Sequence, residues 1–170
     1  TTGGDNVAIG ISALSANTTA SSNTAVGTNA LRFNTTGHSN VAVGGNTLDA
    51  NTTGEQLTSI GYQSLSANTT ASENTACGYN AMLNTTTGSN NTGLGRAALT
   101  LNTTGTGNVA VGKDALLSNT TGNTNVAVGR DALKSNTTAG FNTAVGESAL
   151  EVNTTGASNT AVGSRCLDAN

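Results

Sequence analysis

Large side chains are scarce in this chain. Among 170 residues there are two Phe, two Tyr and no Trp, so the aromatic anchors of an ordinary globular core are nearly missing. Proline is absent and charged residues make up 9 % of the sequence, against roughly 25 % in soluble domains. Disordered chains are normally charged or proline-rich, and this one is neither. The net charge of −3 is too weak to attract nucleic acid or an anionic membrane surface. No apolar run approaches the ~20 residues of a membrane span, so no membrane insertion is expected, and the chain opens without a signal-peptide pattern. The single histidine, His38, leaves no nucleophile–His–acid set to assemble. It reads as a solvated loop residue rather than a metal ligand or general base.

What the sequence does have is a repeat. Asn-Thr-Thr-Gly recurs, followed by Asn-(Thr/Val)-Ala-Val-Gly, two variable residues and Ala-Leu. With the Asn of Asn-Thr-Thr as position 1, the frame advances by 17 residues each time, from Asn17 through Asn34, Asn51 and Asn68 to Asn153. Thr85 stands where one Asn is expected, and no insertion breaks the frame. Residues 1–170 are ten such units, read as one tandem array. The array is expected to be a window of a longer repeat region or a subunit continuing head to tail, because Asn170 followed by Thr1-Thr2-Gly3 would restore the motif.

Aligned by this frame, the columns separate. Position 11 is Gly in every unit, from Gly10 to Gly163, which calls for positive φ or close backbone approach. Position 15 is Leu, with Met82 once. Position 10 is Val, Ile, Leu94 or Cys77, position 8 is Val or Thr, and position 9 is Ala apart from Ser59 and Gly93. β-Branched residues two apart, with a small residue between, are strand chemistry. Thr, Asn and a Gly in every unit argue against helix. We expect positions 8 and 10 to face inward with the position-15 leucines, and the position-9 alanines to face outward against another chain. All six basic and nine acidic residues fall at positions 5, 6, 12, 13 or 16, which marks these columns as solvent-facing.

One unit of this length cannot bury its own apolar face, whereas stacked units can. The expected fold is all-β: a parallel β-solenoid, of the β-roll or β-helix kind, with ten 17-residue coils. Strand spacing of about 4.8 Å makes a rod of roughly 48 Å. Some three apolar side chains per coil form a thin core, which favours self-association as a homotrimer or filament.

Asn23-Thr24-Ala25-Val26-Gly27 and Asn108-Val109-Ala110-Val111-Gly112 resemble the strand motif of trimeric autotransporter adhesin heads. The longer unit, Asn142 to Leu150 followed by Asn153-Thr154-Thr155-Gly156, is similar to tandem repeats of bacterial and phage tail-fibre-like proteins. The resemblance implies a left-handed, trimeric β-roll at the cell or virion surface, and contact with host surfaces or matrix. The 17-residue unit is longer than the adhesin-head repeat, so the loop differs.

Sites of chemistry are few. Gly112-Lys113 lacks the spacing of a phosphate loop, and no calcium-binding nonapeptide occurs. Asp114 and Asp131 share a column and either bridge a cation or are solvated, the second being the plainer reading. Cys77 and Cys166 read as small buried hydrophobes, too far apart along the rod for a disulfide. No cofactor, metal or catalytic residue is expected, and the chain is read as a non-enzyme.

Asn-Thr-Thr is also an N-glycosylation sequon. It marks Asn17, Asn34, Asn51, Asn68, Asn84, Asn102, Asn119, Asn136 and Asn153 as candidate acceptors. The competing reading is turn chemistry, with Asn and Thr side chains bonding local backbone. The function expected is a structural repeat of an extracellular fibre, adhesin or tail-fibre shaft. The alternative is a surface-binding module that contacts glycans, a cell-surface receptor or ice, the last through its Thr ladders.

Overall fold

The computed structural model describes residues 2–168; the expected join across Thr1 and Asn170 lies outside them. Each unit contributes one three-residue strand, from β1 (Val7–Ile9) and β2 (Thr24–Val26) through to β10 (Thr160–Val162). All ten lie in a single parallel sheet in chain order. The register is column on column: Ala25 pairs with Ala42, Val26 with Val43, and Ala110 with Ala127. The rest of each coil is turns and bends. The architecture is the parallel β-solenoid expected from the repeat.

Three residues per coil adopt the left-handed region, at positions 6, 13 and 15, as in Thr124, Asp114 and Leu116, and all are non-glycine except Gly107. A leucine there is unusual, since the conformation costs about 1–2 kcal/mol. Leu116 has φ 50° and is fully buried, and burying a leucine contributes about 1.5–3 kcal/mol, so the core contact offsets the strain. At position 11 only glycine fits. Gly112 has φ 132°, and a Cβ there would stand 2.6 Å from the carbonyl oxygen of Gly129.

The strand is inverted relative to the sequence expectation. Ala25, Ala42, Ala110, Ala127 and Ala144 at position 9 are fully buried, whereas Val43, Ile60 and Leu94 at position 10 are 36–41 % exposed. The position-9 alanines pack with Leu31, Leu48, Leu116 and Leu133 and with the position-14 alanines to form the core. The reason is width. A coil holding one leucine leaves room beside it for a methyl group, not for a branched side chain. One of the two departures at position 9 carries its own compensation: Met82 replaces Leu where Gly93 replaces Ala, and a Cβ on Gly93 would lie 2.7 Å from the Met82 Cγ.

Two further expectations are corrected by the same geometry. Cys77 is exposed because position 10 points outward, whereas Cys166, at position 14 of the last described coil, packs against the core and is only partly covered. Position 13 is not a solvated column throughout: Asp114 and Asp131 are 9 % exposed.

Candidate interaction surface

The outer face of the sheet carries an unbroken apolar row. Ile9, Val26, Val43, Ile60, Cys77, Leu94 and the valines through Val162 stand in successive coils. They lie one strand spacing apart, about 4.8 Å. Beside this row runs column 12. There Tyr62 stacks on Tyr79 with ring centroids 5.8 Å apart, and Arg96, Lys113 and Arg130 follow in the next three coils. Exposed apolar residues scattered singly need no explanation, whereas this row is contiguous from coil to coil.

The cations of column 12 are matched by carboxylates. Lys113 Nζ is 2.9 Å from Asp114 and Arg96 is 3.7 Å from it. Arg130 pairs with Glu147, whose hydrogen bond and charge hold the guanidinium pKa above its usual value. From column 16, Lys134 Nζ is 3.0 Å from Asp131, and this hydrogen bond raises the Lys134 pKa. Asp114 and Asp131 therefore each have a side-chain cation, which replaces both the shared metal ion and the solvated charge of the sequence reading. His38 pairs with Glu55 on the exposed surface. Burial raises the Asp49 pKa against the lowering influence of backbone hydrogen bonds and Arg32. Among the described residues no three His, Cys, Asp or Glu side chains converge to hold a metal, no concave pocket is present, and no helix is long and apolar enough to cross a membrane.

The turn that contains Asn-Thr-Thr is organised by two asparagine ladders. In column 1, Asn51 Nδ2 donates to Asn34 Oδ1 at 2.8 Å and to the Gly54 carbonyl at 3.0 Å, and Asn119 repeats the pattern on Asn102 and Gly122. In column 7, Asn40 N–H donates to Asn23 Oδ1 at 2.9 Å, and Asn40 Nδ2 donates to the same Gly54 carbonyl at 2.9 Å. The position-4 carbonyl thus receives both ladders, which satisfies polar groups that would otherwise be buried without partners.

This geometry places the nine candidate acceptors. Asn34, Asn51, Asn68, Asn102, Asn119, Asn136 and Asn153 are 0–3 % exposed, and Asn17 is half-buried with its amide on the Ala20 carbonyl at 3.1 Å. A sugar on any of these nitrogens would displace a ladder bond and has no space in the coil, so the geometry supports the turn reading there. Asn84, one position earlier in its unit, is half-buried and stands outside the ladder. The column-7 asparagines, which no sequon marks, are as buried as those of column 1. Their regular spacing was the signal in the sequence.

The two threonines of each turn differ. At position 2 the hydroxyl donates to the carbonyl of the next coil's position-2 threonine, as Thr52 to Thr69 at 3.0 Å and Thr103 to Thr120 at 3.0 Å. At position 3 every threonine from Thr2 to Thr155 is exposed.

No protein-family model, curated protein or solved structure matches this chain.

Proposed function

We propose that the chain is a non-catalytic structural segment of an extracellular fibre or adhesin shaft, and that copies associate in parallel through the outer sheet face as a homotrimer. The observation that carries this reading is the unbroken apolar row at position 10. Its side chains are left outside a core that has no room for them, and their burial between copies would remove a continuous apolar strip from water. The resemblance of Asn23–Gly27 to adhesin-head strands supports three copies and a surface location.

Light scattering coupled to size exclusion tests it. Wild-type protein is expected at three times its 16.6 kDa monomer mass, and a Leu94→Asp/Val111→Asp variant as a monomer with an unchanged β-sheet circular dichroism spectrum. Mild oxidation should also join two chains through Cys77, which parallel copies bring to the same height. A wild-type monomer with native spectrum at micromolar concentration would refute the association.

The ice-binding alternative draws less support. Position-2 hydroxyls are engaged along the rod, which leaves one free row rather than a flat two-dimensional array.

A further inference from the structure

The position-3 threonines are the one outward column of uniform chemistry that the fold does not use. Their neighbours at position 2 donate from coil to coil, with bonds of 3.0–3.5 Å from Thr18 to Thr154. The position-3 hydroxyls make no bond among the described residues and are exposed in all ten units. What the coil takes from position 3 is backbone: Thr36 N–H and Thr53 N–H donate to the carbonyls of Thr52 and Thr69.

The units have otherwise diverged on their exposed side. Position 5 holds Gly4, Ser21, His38, Glu55, Thr106 and Asn123 among others, and position 12 ranges from Ile11 to Tyr62, Lys113 and Glu147. Recent duplication therefore does not account for a threonine in every unit at position 3. Valine has the same branched shape and occurs at positions 8, 10 and 17, but never at 3. Serine carries the hydroxyl and occurs at positions 5, 6, 9, 12, 13, 14, 16 and 17, but never at 3. Both the branch and the hydroxyl are retained. The branch suits the extended backbone, and the hydroxyl has no partner in the fold.

We infer that this column is a row of O-glycosylation sites, one per coil, along a corner of the rod separate from the apolar sheet face. In the modification each Thr Oγ1 attacks the anomeric carbon of a nucleotide-activated sugar. The new bond is Thr Oγ1–C1, the bond from C1 to the donor's phosphate breaks, the nucleotide leaves with the electron pair, and the hydroxyl proton passes to a base of the transferase. The acceptor atoms lie about 4.8 Å apart, so the row would carry short sugars in a single file. They would clothe one corner in hydrated groups while the sheet face stays bare. The inference does not depend on the number of chains in the rod.

The test is mass spectrometry of protein isolated from its natural source, with fragmentation that keeps sugars attached. Increments of whole sugar residues are expected on position-3 threonines and none on position 2. An unmodified chain, phosphate increments, or sugars confined to position 2 or to asparagine would overturn it. A second measurement uses unmodified recombinant chain. Thr53→Val/Thr70→Val should leave the melting temperature unchanged, and Thr52→Val/Thr69→Val should lower it. Equal losses would show that the fold does use the outer hydroxyl, and the argument would fall. Thermal hysteresis from the unmodified chain, lost in Thr53→Val/Thr70→Val, would instead assign the row to ice.

Discussion

Replacing Thr85 with asparagine should stabilise the rod, because Thr85 is a break between two runs of the ladder, Asn34 to Asn68 and Asn102 to Asn153. Asn68 donates to Asn51 Oδ1 at 2.8 Å, but its own Oδ1 is buried without a partner, and so is the Thr85 Oγ1. On the far side Asn102 Nδ2 reaches only the Gly105 carbonyl, at 3.0 Å. An amide at position 85 in the pose of Asn51 or Asn119 would donate to Asn68 Oδ1 and to the Gly88 carbonyl, and would accept from Asn102. Buried hydrogen bonds contribute about 1 kcal/mol each, and unmade ones cost about 1–3 kcal/mol. Three new bonds, less the ordering of one short side chain, amount to about 2 kcal/mol. For a chain of this length that raises Tm by about 4–8 °C. Thermal denaturation followed by circular dichroism at 218 nm reads it. The same substitution made with Asn68→Ala should gain about 1 kcal/mol less, since one of the three partners is gone. An unchanged or lower Tm for Thr85→Asn would refute the claim that the ladder, rather than general turn propensity, holds column 1 in place.

Two other outcomes follow from the core and from the buried charge. Gly93→Ala alone should be destabilising, because the new methyl meets Met82. Combined with Met82→Leu it restores the pairing seen in other coils, so a double-mutant cycle should show a coupling of about 1 kcal/mol or more, and additivity would refute the contact. Burial raises the Asp49 pKa above its ordinary 3.8, so the folded state holds the carboxyl proton more tightly than the unfolded state. The charged form therefore opposes folding, an opposition fully present above the folded pKa and absent below 3.8. Asp49→Asn should raise Tm at pH 7, and the difference from wild type should close as pH falls through the raised pKa; a constant difference across that range would sink the assignment.

The period was legible because every coil must repeat its neighbour, and the glycine at position 11 because two requirements, positive φ and close approach, converge on one residue. The facing of the strand was not. Alternation of Val-Ala-Val says that the two faces differ, but not which is inside, and the usual rule puts the larger apolar residues in the core. A narrow coil reverses that rule. The sign of reversal was in column 9, which admits only Ala, Ser59 and Gly93, whereas column 10 accepts side chains as different as Cys77, Leu94 and Ile60. A column restricted by size is an interior column. The same test separates the two threonines poorly, since both are invariant, and there only the hydrogen bonds distinguish them. Nor does sequence distinguish a sequon from a ladder, because both ask for asparagine at regular spacing.

Folding and the proposed lateral association would use different columns in this rod. The interior is a line of leucines and small residues flanked by two asparagine ladders, so much of what joins one coil to the next is directional hydrogen bonding rather than apolar volume. Such a core specifies register strongly, since a shifted coil loses buried bonds and leaves amides unpaired. The branched side chains at position 10 add little to it, being partly exposed. A polar substitution at position 10 should therefore leave the coil intact, while an added methylene at position 9 should destabilise it by about 1–3 kcal/mol. This separation makes the proposed lateral contact testable: a rod that lost its fold on substitution at Leu94 and Val111 would show that the outer face belongs to the coil's own stability, and the apolar row would need no partner to explain it.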